Sequence, residues 1–193
     1  MHNTPLIYHW IWMTHRLPYS ARIFLLVFIA AWTALLVHEI AHAVTARALG
    51  IRVWGITLGR GPVLWSGMFR GCRVHLALLP LHGEVRLHDQ DAESIGYRGV
   101  QSAAWRFEWL LRSSWRAPLI TAAGSLANLL AAKAIVMYWM WIPRPVPSLL
   151  ALSTCIFIVN CAMFLNLAPI RGLDGYRMAV QAAAWRRASR ATI

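Results

Sequence analysis

Acidic side chains are scarce in this sequence. Its 193 residues include 7 Asp and Glu against 19 Lys and Arg, so the formal net charge is +12 at pH 7. Charged residues make up 13% of the chain and hydrophobic residues 59%, whereas soluble domains average about 25% and about 45–50%. This shortage of charge argues against a soluble domain and indicates a membrane protein.

Cysteine is scarce as well. Cys72, Cys155 and Cys161 show no paired spacing, and the last two lie inside an apolar run, where a cysteine is usually a small hydrophobic residue. We therefore expect no disulfide framework. We also expect no cleavable signal peptide, because the first apolar run is too long and no small-residue cleavage site follows it.

The surplus of basic residues raises nucleic acid as a partner. Ten arginines lie between positions 47 and 116, and five more lie between positions 171 and 190. Long apolar runs separate the two groups, which leaves no compact basic face for a nucleic acid. We therefore expect no nucleic-acid partner.

Three apolar runs are long enough to cross a lipid bilayer, which takes about 20 residues. They cover about residues 23–46, 117–142 and 147–168. The second ends in Tyr138, Trp139 and Trp141, aromatic residues that suit the headgroup region. The runs predict an α-helical integral membrane protein, with residues 1–193 forming a single domain.

The arginines also predict the orientation of these spans. The side that holds residues 47–116 and 171–193 carries fifteen arginines, and the other side carries Arg16, Arg22 and Arg144. Positive charge concentrates in cytoplasmic loops. We therefore place the N-terminus outside, and we place the segment 50–116 and the basic C-terminal tail 176–193 in the cytoplasm.

The segment 50–116 contains two stretches of different composition. From Gly50 to Leu87, short apolar runs bounded by glycine and proline predict β-hairpins. The stretch 102–116 alternates tryptophan with arginine. It suits either a helix lying on an anionic leaflet or an ordinary amphipathic helix packed on the protein, and both readings stay open.

Two histidines and a glutamate interrupt the first span, in the sequence HEIAH. His38 and His42 are four residues apart, so on a helix their side chains lie on one face and can both reach a single zinc ion. Glu39 lies beside them, where it could take a proton from water. His38 lies about 22 Å along the helix from Ile23, which puts this predicted metal site within the membrane.

A catalytic zinc ion usually has three protein ligands, so one more is needed. Asp174 is the acid that directly follows an apolar span, in NLAPIRGLDG. Pro169 interrupts helical hydrogen bonding there, and such an unwound stretch at membrane depth lies against protein or a wet cavity. His75, His82 and His88 are weaker candidates, and a simple turn with a capping Asp174 remains an alternative.

A small, weakly polar stripe runs along the second span, through Thr121, Gly124, Ser125, Asn128 and Ala132. Such a stripe lets helix backbones approach closely. From its spacing, Asn128 is more readily interpreted as a contact between helices than as a substrate contact.

These motifs together resemble the site-2 protease family of intramembrane zinc metalloproteases. HEIAH fits the HExxH of the family, GSLAN at 124–128 fits its GxxxN, and NLAPIRGLDG at 166–175 fits its NxxPxxxLDG, in the same order. Four residues, 143–146, separate the second and third spans. The chain therefore resembles a compact member without the PDZ domain that some members carry there.

The resemblance implies a fold and a metal site. The fold is a three-helix membrane core with a cytoplasmic or membrane-associated β-hairpin. The metal is zinc, one ion per chain, held by His38, His42 and Asp174, with Glu39 as the catalytic acid and base.

The resemblance also implies a substrate and a location. Gly124, Asn128 and Asn166 would help to hold the substrate near the metal. The segment 77–87 resembles the hairpin of the family, whose edge around Gly83 and Glu84 would pair with an unwound substrate. The expected activity is cleavage of membrane-spanning segments of single-span proteins in a bacterial cytoplasmic membrane, for regulated proteolysis or removal of signal remnants.

Two alternatives to a protease of this family remain. The first is a non-catalytic membrane protein that binds zinc or partner helices, and Glu39 counts against it because a binder does not need that group. The second is a membrane zinc protease of the prenyl-protein type, with a glutamate as the third ligand. Asp174 in its LDG sequence counts against the second.

Overall fold

The structure, a computed structural model, describes residues 17–88, 114–142 and 147–191. Its elements in chain order are helix α1 (Tyr19–Ala48), strands β1 (Arg52–Phe69) and β2 (Cys72–His88), helices α2 (Arg116–Trp141) and α3 (Pro147–Phe164), a 3-10 turn (Leu165–Leu167) and helix α4 (Asp174–Ala191).

Three of the described helical segments are long and apolar enough to cross a membrane: Tyr19–Ala48, Arg116–Trp141 and Pro147–Leu167. Their bounds agree with the spans predicted from sequence to within about four residues, and the prediction of three apolar helices is confirmed. Pro118 lies in the first turn of α2, where its missing N–H costs no helical hydrogen bond.

Helix α1 ends in a tight cap that directs the chain into the sheet. The Gly50 N–H donates to the Arg47 carbonyl at 3.0 Å, and the Ile51 N–H donates to the Ala46 carbonyl at 2.9 Å. Gly50 has a φ of 78°, the left-handed conformation that this cap requires and that glycine adopts at little cost. The first strand therefore begins two residues later, against the end of the helix.

Strands β1 and β2 form one long antiparallel hairpin. Its turn lies at Arg70 and Gly71, between the paired residues Phe69 and Cys72. The hairpin expected at 77–87 is therefore placed differently, because those residues all lie within β2. Residues 55–58 of β1 pair with 83–86 and also with 73–76, so the long strands fold over on themselves near Gly59.

The start of β1 and the first residue of β2 pack against the helices. Ala43 and Ala46 of α1, Val53 and Cys72 of the strands, and Ile120 of α2 form one buried apolar cluster. Cys72 acts there as a small hydrophobic residue, and all three cysteines are free thiols, which confirms the expectation that the chain has no disulfide framework. The cluster joins the sheet rigidly to the end of the bundle.

Residues 63–69 at the end of β1 expose a large apolar surface. Its exposed residues include Val63, Leu64, Trp65, Met68 and Phe69. A water-soluble protein rarely exposes so many contiguous apolar side chains, so this surface suits contact with lipid. The expected association of the hairpin with the membrane is consistent with it.

The small-residue stripe of α2 packs as predicted. Gly124, Ser125, Asn128 and Ala132 are all buried, and α2 packs against both α1 and α3. Small side chains at this face let the three helices approach closely.

The basic tail predicted at 176–193 is helical for most of its length, in α4. Helix α4 packs against α2, and Thr121 Oγ1 donates to Gln181 Oε1 at 2.8 Å. Residues 89–113, which include most of the tryptophan- and arginine-rich stretch 102–116, lie outside the described residues.

Candidate metal centre

His38 and Glu39 lie where the bundle is closed to its surroundings. They are 3% and 6% exposed, and His42 follows one helical turn later. The rings of His38 and His42 are 4.6 Å apart between centroids and nearly perpendicular. The helical spacing therefore brings both imidazoles to one face of α1, as HEIAH predicts.

Asp174 reaches the same place from the other end of the chain. After α3 the backbone leaves the helix through the 3-10 turn at Leu165–Leu167 and a non-helical stretch that includes Pro169, and Asp174 then begins α4. Asp174 Oδ2 lies 3.0 Å from His38 Nε2 and 3.8 Å from His42 Nε2. The unwound stretch predicted from Pro169 is confirmed.

Glycine at two positions makes this approach feasible. A Cβ at Gly124 would lie 2.7 Å from His38 Nε2 and closer still to His42 Nε2. A Cβ at Gly175 would collide with the backbone carbonyl of Leu167. Any side chain at either position would push the histidines or Asp174 away from one another.

One hydrogen bond orients His42. Its Nδ1 lies 2.6 Å from the carbonyl oxygen of Ile120 on α2, so Nδ1 carries the proton and donates it. A neutral imidazole has one N–H, which leaves the lone pair on Nε2, the atom that faces Asp174. Among the described residues His38 Nδ1 has no corresponding partner.

The two asparagines of the motifs occupy different positions relative to these groups. Asn166 Nδ2 donates to Asp174 Oδ2 at 3.3 Å, so it contacts the carboxylate directly. Asn128 is fully buried, and neither atom of its side-chain amide has a hydrogen-bond partner in the described part of the chain. A buried amide left in this state is costly, and it marks a group able to accept a ligand.

The hairpin also reaches this site. Gly83 of β2 lies so close to Glu39 that a Cβ there would overlap the carboxyl group. Glu84 points elsewhere: its carboxylate is half-exposed and lies 3.4 Å from the Arg86 guanidinium. Of the two residues predicted at the strand edge, Gly83 contacts the site and Glu84 belongs to a surface pair.

Comparison with known proteins identifies the family. Residues 24–146, well over half of the chain, match the profile of peptidase family M50. The chain belongs to peptidase family M50. This is the site-2 protease family that the motifs resemble, so that prediction is confirmed.

Individual relatives of this M50 chain are bacterial. Protease RseP of Yersinia pestis is 34% identical over 113 residues, covering 58% of this chain and 24% of that protein. Regulator of sigma-E protease RseP of Salmonella typhimurium is 31% identical over 151 residues, covering 76% and 32%. A protein of Chlamydia pneumoniae that carries a zinc metalloprotease name is 30% identical over 112 residues, covering 56% and 18%. The chain thus spans about a fifth to a third of the length of these relatives.

The side chains of this M50 chain form a donor set that suits zinc. The ligand atoms of His38, His42 and Asp174 all lie within 4.8 Å of one another. Among the described residues, these three form the group of His, Cys, Asp or Glu side chains that could hold a metal ion. Two imidazole nitrogens and a carboxylate oxygen are ligands that zinc takes in catalytic sites. Because His42 Nδ1 donates its proton to the Ile120 carbonyl, the lone pair of His42 Nε2 is available to bind zinc.

The charge state of Asp174 also suits a zinc ligand. Burial alone opposes ionisation of its carboxyl, but hydrogen bonding with His38 and His42, and their positive charge whenever they are protonated, outweigh burial, so the pKa of Asp174 lies below its usual range. The carboxylate is therefore the form present, and it is the form that binds a metal.

Sequence reasoning missed the contacts that hold these groups in place. The Ile120 carbonyl is a backbone atom, so its residue type carries no signal of its contact with His42. The Thr121–Gln181 hydrogen bond joins two helices that are remote in sequence. Of the three weaker candidates for the third ligand, His75 and His82 are not part of the donor group, and the His88 side chain lies outside the described part of the chain.

Proposed function

We propose that this chain is a zinc-dependent endopeptidase that cleaves the membrane-spanning segments of single-span membrane proteins. The observation that carries the proposal is the convergence of His38, His42 and Asp174 beside Glu39, inside a bundle of helices apolar enough to span a bilayer. Membership of a peptidase family supports it.

In this proposal His38, His42 and Asp174 hold one zinc ion per chain. Zinc, when bound, supplies Lewis-acid chemistry that activates water and polarises a peptide carbonyl. The Glu39 carboxylate accepts a proton from the attacking water and later donates it to the leaving amine. Asn166 steadies Asp174 through the hydrogen bond at 3.3 Å.

The substrate would be bound as an extended strand. A peptide bond within a helix is protected by its own backbone hydrogen bonds, so a membrane-spanning segment must unwind before it is cleaved. Residues 83–88 pair with β1 along one edge, and within the described pairing their other edge has no partner. That edge starts at Gly83, against Glu39, so an added substrate strand would lead its backbone past the site.

The amide of Asn128 is a further candidate for substrate binding. It is buried without a partner among the described residues, and its helix also carries Gly124, which adjoins both histidines. An unwound substrate would offer the backbone N–H and carbonyl groups that this amide needs. A role of Asn166 in holding substrate, which the family resemblance implies, stays a prediction.

We place the protein in a bacterial cytoplasmic membrane with its N-terminus outside. The three apolar helices and the bacterial relatives support an integral membrane protein. Two relatives are named RseP, one of them as a regulator of sigma-E protease. Regulated proteolysis, or clearance of signal remnants, is accordingly the role that we propose here.

Two variants of the full chain separate a protease from a non-catalytic zinc binder. Glu39→Gln keeps the size and polarity of the side chain but removes its ability to accept a proton. Cleavage of a model single-span substrate should fall by about 10²–10⁴-fold, the usual effect of losing acid–base catalysis. The zinc content should stay near that of the unmodified chain.

Asp174→Ala tests the third ligand in the same assays. It removes a carboxylate beside two imidazoles, so zinc content itself should drop. Zinc content that is unchanged in Asp174→Ala would contradict the three-ligand site. Full cleavage by Glu39→Gln would contradict the mechanism, and full zinc binding by the unmodified chain without any cleavage would favour the non-catalytic alternative.

A further inference from the structure

A basic cleft lies where α1 ends and the hairpin turns. Its lining residues are Arg47 and Gly50 at the end of α1, Ile51, Arg52 and Val53 at the start of β1, and Arg70 and Gly71 at the hairpin turn. The cleft is open to one side and has a volume of about 340 Å³. It is distinct from the metal centre, because none of its lining residues belongs to the donor group.

The cleft concentrates positive charge without a counter-ion in its lining. Three of its seven lining residues are arginines and none is acidic. The acids of the described ranges are engaged elsewhere: Glu39 and Asp174 lie at the metal centre, and Glu84 pairs with Arg86. Because Arg52 makes another contact within the protein, the argument rests on Arg47 and Arg70.

These two arginines reach the lining of the cleft from separate elements. Arg47 alone would suit the negative end of the α1 dipole. Arg70, however, belongs to the hairpin turn and has a φ of 48°, in the left-handed region that a side chain other than glycine adopts infrequently. The dipole of α1 can explain Arg47, but it does not explain why Arg70, from the hairpin turn, lines the same cleft.

The surroundings of the cleft are apolar and exposed. Met68 and Phe69 precede Arg70 and are 66% and 61% exposed, and the Arg70 guanidinium lies 5.6 Å from the centroid of the Phe69 ring. The other wall is the end of a helix that is apolar enough to span a membrane. A ligand for this site thus needs an anionic group beside a hydrocarbon part.

We propose that this cleft binds the phosphate of an anionic phospholipid, with Arg47 and Arg70 as its principal contacts. A guanidinium pairs with phosphate through two parallel N–H donors, which suits two arginines facing one headgroup. The acyl chains would lie against Met68 and Phe69, at the boundary between the hairpin and α1. A free phosphate would use the same arginines but would gain nothing from the apolar wall.

Lipid binding to the purified full chain in a neutral detergent tests the proposal. Phosphatidylglycerol should bind at a concentration at least about tenfold lower than phosphatidylcholine, by native mass spectrometry or by the rise in Tm, because both guanidinium groups favour an anionic headgroup over a zwitterionic one. Inorganic phosphate at the same concentration should have little effect. No preference for phosphatidylglycerol would overturn the proposal, and an equal effect of phosphate would overturn the assignment to a lipid.

Two double variants place the binding at the cleft. Arg47→Gln with Arg70→Gln should abolish the preference for phosphatidylglycerol. Arg60→Gln with Arg187→Gln removes the same charge from exposed positions outside the cleft and should retain it. If both double variants lose the preference for phosphatidylglycerol equally, the preference depends on the net charge of the protein alone. That result would refute the proposed site. Zinc content checks that each variant is folded, and the comparison of lipids on the unmodified chain remains decisive should a variant fail to fold.

Discussion

Two imidazoles and a carboxylate buried at the centre of a bundle of apolar helices are energetically costly unless they bind a ligand. Insertion of one ionised side chain at the centre of a membrane helix costs at least about 2.5–3.5 kcal/mol. Here His42 has its Nδ1 satisfied by Ile120, and the Nε2 atoms of His38 and His42 converge on Asp174. A dication at that point would offset the burial of all three groups.

Gly124 offers a test of this arrangement at the scale of one methyl group. Gly124→Ala would place a Cβ against both imidazole Nε2 atoms. Forcing an extra methyl group into a packed site costs about 1–3 kcal/mol, so zinc affinity should fall about 5- to 150-fold in competition with a chelator. Ala134→Val on an exposed position of α2 is the control and should bind zinc like the unmodified chain. Unchanged affinity in Gly124→Ala would contradict the proposed ligand positions.

Some residues of the metal centre could be predicted from the sequence more directly than others. The spacing of His38 and His42 directly predicts that their side chains lie on one face of the helix, because a helix has a fixed period. Asp174 could be singled out because acids are so few. The family resemblance assigns Gly124 to substrate binding, and that role stays a prediction. A glycine in a sequence signals only that something approaches closely, and in the structure the two histidines lie beside Gly124.

At the scale of elements, the position of α4 decides where Asp174 lies. The chain reverses between Leu165 and Leu173, and Gly175 packs against the carbonyl of Leu167. Further along α4, Gln181 accepts a hydrogen bond from Thr121 on α2, one residue from the carbonyl that binds His42. Helix α2 therefore orients His42 from one side and holds the helix of Asp174 from the other.

Weakening this link between helices should loosen the metal site without removing a ligand. Thr121→Val and Gln181→Leu each remove a hydrogen bond, worth about 0.5–1.5 kcal/mol, so zinc affinity should fall by about 2- to 12-fold. The double variant should lose little more than either single variant, because both remove the same bond. Ser189→Ala, which removes a bond within α4 alone, is the control. Full additivity in the double variant would show that the two residues act separately.

The hairpin shows what element-level reasoning from sequence can and cannot reach. Glycine and proline correctly predicted β-structure between Gly50 and Leu87, whereas the family resemblance placed a hairpin within 77–87. Pro80 and Gly83 resemble turn residues, yet both lie within β2. In the described pairing, Leu79 faces Arg60 and Gly83 faces Leu58, while Pro80 has no partner and its missing N–H costs no bond of the ladder.

At the scale of the whole molecule, the described parts of both arginine-rich segments lie at one end of the bundle. Val53 of β1 and Cys72 of β2 pack with Ala46 and Ile120, and α4 forms a hydrogen bond with the neighbouring Thr121. Three spans require this arrangement, since the chain leaves α1 and enters α2 at the same end. Burial and packing are alike whichever side this end faces, so charge is what remains to set the orientation.

Labelling from outside the cell should reveal that orientation. In a chain whose native cysteines are replaced, Pro145→Cys lies between the second and third spans, and Ser189→Cys lies near the end of α4. The fifteen arginines on the side of α4 should hold that side in the cytoplasm. An impermeant maleimide added to intact cells should therefore modify position 145 and spare position 189, while both should react after detergent lysis. Modification of position 189 alone in intact cells would reverse the orientation. It would also turn the basic cleft to the outer leaflet, where fewer anionic headgroups and no cytoplasmic surface potential would favour its occupancy.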